Sequence, residues 1–235
     1  MIDLGHAILS ITRHVPDGVV AFFPSYAYLD GCVAAWKRLR AGGTSSGPTI
    51  WESIQIVKPV FLEQRTQHQP TEEGINVQGT SSGSVLDAYS NGVVTGNGRG
   101  AVLFAVVGGT LSEGINFSDA LGRGLIVVGL PFPNPHSAEW KAKMQYISVK
   151  ATSNGRNGKD AARDFYENAC MRAVNQCVGR AIRHRGDYAA IMMLDRRYSA
   201  LRIQAKLPRW IQGSLANGAG VREVERRLDE FFAGK

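Results

Sequence analysis

The sequence predicts an α/β domain, a mostly parallel sheet covered by helices on both faces. Four apolar runs, Val19–Phe23, Ala101–Val107, Leu125–Leu130 and Tyr188–Leu194, show no polar alternation. Strands of that kind are buried on both faces. Between them, apolar residues recur at helical spacing, and strands alternating with helices make a parallel sheet with crossover connections. A chain of 235 residues accommodates one large domain, or one domain with a small appendage.

Leu4, Ala7, Ile8 and Ile11 lie on one helical stripe before Pro16. Gly18 and Pro24 bound the first strand. Ser25 is placed to cap a second helix that runs through Leu29, Val33, Trp36 and Leu39 to Gly42, since its hydroxyl can accept a free amide of the first turn. Gly42 to Pro48 is a loop, and Lys58–Leu62 is a weaker strand. Residues 63–82, rich in Gln, Thr, Gly and Ser, have the composition of a mobile surface insertion. A helix is expected near Val85–Val94, before the strand at Ala101. After the strand at Leu125, the rigid segment Pro131-Phe132-Pro133-Asn134-Pro135 enters a helix near Ser137–Lys150. A polar turn at 151–159 then precedes a long helix from about Asp160 to His184. Beyond the last strand, residues 198–235 form a helical extension, with Val221, Val224, Leu228, Phe231 and Phe232 at helical spacing.

In open parallel sheets, ligands bind at the carboxyl ends of strands. The informative loops should therefore follow Phe23, Val107, Leu130 and Leu194.

No apolar run reaches the roughly 20 residues that span a bilayer, and the N-terminus lacks the pattern of a secretory leader, so no membrane partner is expected. Three cysteines, Cys32, Cys170 and Cys177, form no C-x-x-C pair and no disulfide framework. They point to a reducing compartment and to no metal or cluster site in this chain. Cys170 and Cys177, seven residues apart, suit a helix face in the core. The net charge is +7, and the segment Arg172–Arg209 holds nine Lys or Arg against two acids, so it carries the whole excess. Such a block suits polyanion partners, nucleotide phosphates or nucleic acid; a solvated basic face is the alternative.

Two stretches carry chemistry. The segment Gln176-Cys177-Val178-Gly179-Arg180-Ala181-Ile182-Arg183 sets Gln176, Arg180 and Arg183 on one face of a helix, four and then three residues apart. Paired guanidiniums suit phosphate oxygens, and Gly179 suggests close backbone approach. After Val107, the loop Gly108–Asp119 exposes amides, the hydroxyls of Thr110 and Ser112, the Glu113 carboxylate and the Asn116 amide. It lacks G-x-x-x-x-G-K-[ST], so it is no phosphate cradle by itself. No G-x-G-x-x-G follows any strand either, which removes a self-sufficient dinucleotide enzyme.

Together these stretches resemble the XPD-like helicases of superfamily 2. Val20–Tyr26 looks like their motif IV, Ser112–Phe117 like motif V and Gln176–Arg183 like motif VI. The loop Gly129–Pro135 lies between V and VI, as in the second RecA-like lobe of that group. Asn116, where XPD itself has aspartate, and the runs Pro135–Trp140 and Ala173–His184 are similar to the chromosome-loss (ChlR-type) subgroup. The resemblance implies a RecA-like three-layer domain spanning 1–235, the C-terminal motor lobe of an ATP-dependent DNA helicase of 5′-to-3′ polarity. Such a helicase acts in the nucleus in sister-chromatid cohesion, replication or repair. ATP and Mg²⁺ would sit between this lobe and a first RecA-like lobe, which brings the Walker A lysine, the acidic box and a 4Fe–4S domain. None of those is present in this chain.

By the same resemblance, Arg180 and Arg183 are arginine fingers and Gln176 contacts the γ-phosphate or the attacking water. Glu113, Gly114, Asn116 and Gly179 adjoin the nucleotide. Ser25, Tyr26, Thr110 and Ser112 are candidates for the single-stranded or forked DNA track, and cohesion and replication factors are the implied protein partners. Other roles stand beside these: Arg180 and Arg183 paired with Asp187 or Asp195, Tyr26 packed beneath the sheet end, Glu113 as a structural hydrogen-bonder, and His184 as a helix-ending residue. A nucleic-acid-binding module without ATPase activity is the competing function.

Overall fold

A computed structural model describes residues 1–42, 47–65, 82–96, 98–114, 116–216, 218 and 220–235. Helix α1 (Ile2–His14) leads into β1 (Gly18–Phe23), α2 (Tyr26–Trp36), α3 (Ile50–Val57) and β2 (Val60–Leu62). Then come α4 (Ser82–Thr95), β3 (Ala101–Val106), α5 (Thr110–Gly114), a 3₁₀ turn at Asp119–Gly122 and β4 (Gly124–Val128). The chain continues through α6 (Ala138–Ser153), α7 (Gly158–Val178) and β5 (Ala190–Leu194), and ends with α8 (Leu201–Gln204), α9 (Arg209–Gln212) and α10 (Val221–Ala233).

The five strands pair in the order β2-β3-β1-β4-β5, and every pairing is parallel. All residues of β1, β3 and β4 are buried, as their unbroken apolar runs require. Successive residues feed opposite faces. Val20, Phe22, Leu103, Ala105, Leu125 and Val127 meet α4, α5, α7 and the short helices α8 and α9 on one side. Val19, Ala21, Phe23, Val102, Phe104, Ile126 and Val128 meet α1, α2, α3 and α10 on the other. Cys170 and Cys177 belong to the first of these cores.

Four expectations shift. Helix α2 stops at Trp36 instead of running to Gly42, because Leu39–Ala41 turns to bond residues 48–50: Ala41 donates to Pro48 and Ile50 to Leu39. The unexpected α3 follows, started by a reciprocal cap in which Thr49 accepts the Glu52 amide and the Glu52 carboxylate accepts the Thr49 amide at 2.7 Å. Helix α6 runs through Ser153, so the polar turn shrinks to Asn154–Asn157, and Asn157 caps α7. Helix α7 ends at Val178 rather than near His184. The insertion expected at 63–82 falls mostly outside the described residues. Among the described residues no helix is long and apolar enough to cross a membrane.

Candidate functional site

The sequence-predicted residues gather at two edges of the sheet. At the carboxyl edge the organiser is Glu63, the residue after β2, which is only 4% exposed. One carboxylate oxygen accepts the Val106 amide at 2.8 Å; the other accepts the Leu111 amide at 3.0 Å and the Tyr26 hydroxyl at 3.1 Å. One side chain thus ties the end of β2 to the end of β3, the start of α5 and the start of α2. Gly109 lies against this group: a Cβ there would come within 2.6 Å of Glu63 Oε1 and 2.9 Å of the Tyr26 oxygen. Gly108 makes the preceding reversal at φ +73°, a conformation that favours glycine. Burial first, then the charge of Glu63 and its hydrogen bond, push the Tyr26 phenol up to about 12.

Ser25 is exposed, and its hydroxyl accepts the Tyr28 amide at 3.2 Å, so it caps α2 as expected. Thr110 is exposed at the first position of α5 and follows Gly109, which lies against the hydroxyl of the half-buried Tyr26. Ser112 is placed differently. It is 2% exposed and donates its hydroxyl to the Gly109 carbonyl at 2.8 Å, which shapes the loop from within. Glu113 and Gly114 close α5; the surroundings of their side chains lie outside the described residues.

The second cluster corrects the expectation that the site sits in carboxyl-end loops. Asn116, Arg180 and Arg183 lie with Arg123, Asp187 and Tyr188, which immediately precede β4 and β5 and so mark the amino edge. The Phe117 amide donates to the Arg180 carbonyl at 3.2 Å, and Arg180 Nη1 donates to Asn116 Oδ1 at 3.4 Å. Phe117 is fully buried, edge-on to Phe22 at 6.0 Å and to Tyr89 at 6.4 Å. Asp187, whose side chain is wholly buried, accepts from Arg123 Nη1 at 3.0 Å. It also accepts the amides of Tyr188 at 2.9 Å, Asp119 at 3.2 Å and Arg183 at 3.2 Å. The Arg123 guanidinium lies 3.9 Å from the Tyr188 ring centroid.

These bonds explain why α7 ends early. Gly179 has φ −65° and ψ −6°, then the Arg180 carbonyl goes to Phe117 and the Arg183 amide to Asp187, partners that replace the next helical turn. Gln176 is therefore on the last turn of α7, exposed, whereas Arg180 and Arg183 lie beyond it. The single helical face expected for the three does not exist. Gly179 is exposed as well, and a Cβ there would meet only local carbonyls, Asn175 at 3.2 Å and Gln176 at 3.7 Å.

The acids considered as partners of the arginines are engaged elsewhere: Asp187 with Arg123, and Asp195 with Arg197 at 2.7 Å. The Arg183 side chain is exposed and has no ion pair among the described residues. His184 Nε2 lies 3.1 Å from Asp119 Oδ1. The ligand atoms of Asp119, His184 and Asp187 lie within 4.8 Å of one another, but Asp187 already faces a fixed guanidinium and three amides, which does not fit a divalent cation. The cysteines do not fit an iron–sulfur cluster: there are three, all buried, and burial pushes the Cys170 and Cys177 thiols up to about 12. Part of the basic block is internally paired, with Arg202 on Glu167 at 2.9 Å and Lys206 on Asn168 at 2.6 Å.

Sequence reasoning missed Glu63 and the extent of Asp187's role. Glu63 was grouped with the insertion that follows it, although an acid closing the apolar run Val60–Leu62 is a usable signal.

Comparison with known proteins identifies the family. The family described as helicase C-terminal domain matches residues 8–214. An ATP-dependent DNA helicase CHL1 of Coccidioides immitis is 50% identical over 100% of this chain and 26% of its own length. An ATP-dependent DNA helicase chl1 of Schizosaccharomyces pombe is 43% identical over 99% of this chain and 25% of its own. The chain thus spans about a quarter of these curated relatives. A structure of S. tokodaii Xpd4 matches with a TM-score of 0.49 and 20% identity, over 89% of this chain and 33% of that one. The chain belongs to the helicase C-terminal domain family, and its matches to the CHL1 helicases run from end to end.

Proposed function

We propose that this chain is the C-terminal motor lobe of an ATP-dependent DNA helicase, spanning 1–235 with a helical extension at about 198–235. It lends arginine fingers to an ATP site shared with a first RecA-like lobe. The observation that supports this best is the path of the segment after β3. It begins at the carboxyl edge with Gly109 against the Tyr26 hydroxyl and Thr110 next in the chain, and by Asn116 and Phe117 it is hydrogen-bonded to Arg180. One short segment connects a surface suited to a nucleic-acid strand with a pair of arginines suited to phosphate.

In this reading Arg183, exposed and held through its backbone by Asp187, reaches the γ-phosphate and offsets the charge that develops during transfer. Arg180 acts beside it, with Asn116 at its guanidinium. Gln176 orients the attacking water, and Glu113, Gly114 and Gly179 line the nucleotide wall. Ser25, Tyr26 and Thr110 face single-stranded or forked DNA, while Ser112 contributes by shaping their loop. The basic residues between Arg172 and Arg209 that are not internally paired add sequence-independent attraction for phosphates. ATP with Mg²⁺ would be held mainly by the first lobe, and a 4Fe–4S cluster, where the whole protein has one, lies outside this chain. The polarity is 5′ to 3′, the compartment is the nucleus, and the partners include cohesion and replication factors.

The test is Arg183→Ala in the full-length protein. DNA-stimulated hydrolysis should fall by about 10³-fold with most DNA affinity kept, and near-normal turnover would sink the finger assignment. The chain alone should show little ATPase, because it supplies one wall of the site; robust turnover by the chain alone would mean that the site is complete here.

A further inference from the structure

We propose that Glu63 is a positioning residue that holds the Tyr26 ring and the Thr110 loop in one geometry for strand binding. The proposal rests on the reading of that edge as the DNA track. Glu63 touches no strand itself. Its backbone amide continues the sheet by donating to the Phe104 carbonyl at 2.8 Å, while its side chain takes the Val106 amide two residues on. That double hold fixes where the carboxylate points. From there it accepts the Leu111 amide, which α5 cannot satisfy within its own first turn, and the Tyr26 hydroxyl. The two candidates for strand contact, the half-buried Tyr26 and the exposed Thr110, open the helices that follow different strands. Among the described residues Glu63 is the side chain that bonds to both helix starts.

The chemistry asks for a carboxylate. Glu63 is buried with no ion pair among the described residues, so its charge is offset by the three donors around it, an expensive arrangement when any is missing. Glutamine has the same shape but one accepting oxygen. In either orientation its NH₂ group would face a backbone amide, Val106 or Leu111, and leave that donor unpaired. Gly109 makes the contact tight, since even a methyl group there would collide with the carboxylate. With its hydroxyl tethered, the Tyr26 ring is held as a stacking platform of the kind that single-strand binders use.

The experiment uses full-length protein, oligo-dT as the probe, and DNA-stimulated ATP turnover with two readouts: the DNA concentration giving half-maximal stimulation, and turnover at saturating DNA. Glu63→Gln should raise the half-saturating concentration about tenfold, a larger factor than any loss of saturated turnover. Tyr26→Phe keeps the ring and removes only the tether. It should raise the half-saturating concentration about threefold, and add less than that in a Glu63→Gln background. Thr110→Glu puts a negative charge on the track itself and tests the underlying reading: if it leaves half-saturation unmoved, that reading fails. If Thr110→Glu weakens DNA binding while Glu63→Gln and Tyr26→Phe leave half-saturation within about twofold, the positioning role is overturned. It is equally overturned if Glu63→Gln lowers saturated turnover with no shift in half-saturation, the mark of a general structural defect. Should Glu63→Gln fail to fold, Tyr26→Phe decides alone.

Discussion

The Phe117 amide donates to the Arg180 carbonyl at 3.2 Å, and this bond joins the segment leaving α5 to the segment leaving α7. The bond uses the backbone of Arg180, while the side chain separately donates from Nη1 to Asn116 Oδ1 at 3.4 Å. Asp187 does the same for Arg183, taking the amide and leaving the guanidinium exposed. The amino edge is therefore built to hold two arginines by their main chain.

That division predicts that Arg180→Ala separates fold from function. The carbonyl that receives Phe117 survives the substitution, so urea unfolding of the chain should change by less than about 1 kcal/mol. Turnover by the full-length protein should drop at least about 100-fold. A large loss of stability would show that the guanidinium, rather than the backbone, holds the segment.

Asp187→Ala should act in the opposite sense. It leaves three amides without their acceptor and the Arg123 guanidinium, whose side chain is 11% exposed, without its carboxylate, with only the Tyr188 carbonyl at 2.9 Å remaining. Breaking a buried pair on one side costs about 3–5 kcal/mol. Urea unfolding should show a loss of that order, with Asp187→Asn intermediate; a change below about 1 kcal/mol would mean that the hub is dispensable.

Lys58 predicts a pH dependence. It is 4% exposed, donates to the carbonyls of Val15 and Asp17 at 2.6 Å, and burial lowers its pKa from 10.5 to about 8. Between those two values the unfolded chain binds the proton and the folded chain has released it, so the contribution of Lys58 to stability rises with pH. The slope is at most about 1.4 kcal/mol per pH unit, and below pH 8 it vanishes because both states are protonated. Urea unfolding at a series of pH values should show this component in the native chain and lose it in Lys58→Met. Identical slopes in the two proteins would contradict the burial effect.

The cysteines should be inert while the domain is folded. All three are buried, and burial raises each thiol, Cys170 and Cys177 to about 12. The thiolate is the reactive form, so labelling by an alkylating reagent at pH 8 should be slow in the native chain and should reach all three sites in urea. Rapid native labelling of Cys170 or Cys177 would show that α7 opens readily from the sheet.

Where the sequence reading failed, it failed where distant segments compete for backbone groups. Helix α3 is the exception, missed although its signal is local: Thr49 and Glu52 stand three apart around the helix start, with Ile50, Trp51 and Ile54 on the buried side. The end of α7 has no such signal. Nothing between Asp160 and His184 forbids a helix, and only Phe117 and Asp187, more than 60 residues before Arg180 and a few residues beyond Arg183, break it. For Glu63 the sequence offers only the position, an acid closing an apolar run; its three donors, from residues 26, 106 and 111, come together only in the fold.

By itself the sequence determined the strands, the parallel α/β class and the motifs that mark the helicase C-terminal domain. Apolar periodicity and local spacing are properties of neighbours along the chain. The tertiary structure alone decided that Arg180 and Arg183 leave the helix, that Arg180 meets Asn116 and Arg183 meets Asp187 at the amino edge, and that Ser112 turns inward while Tyr26 is tethered. Each of those outcomes depends on which buried carboxylate or carbonyl reaches a given donor first, and that competition is settled only when distant segments pack together.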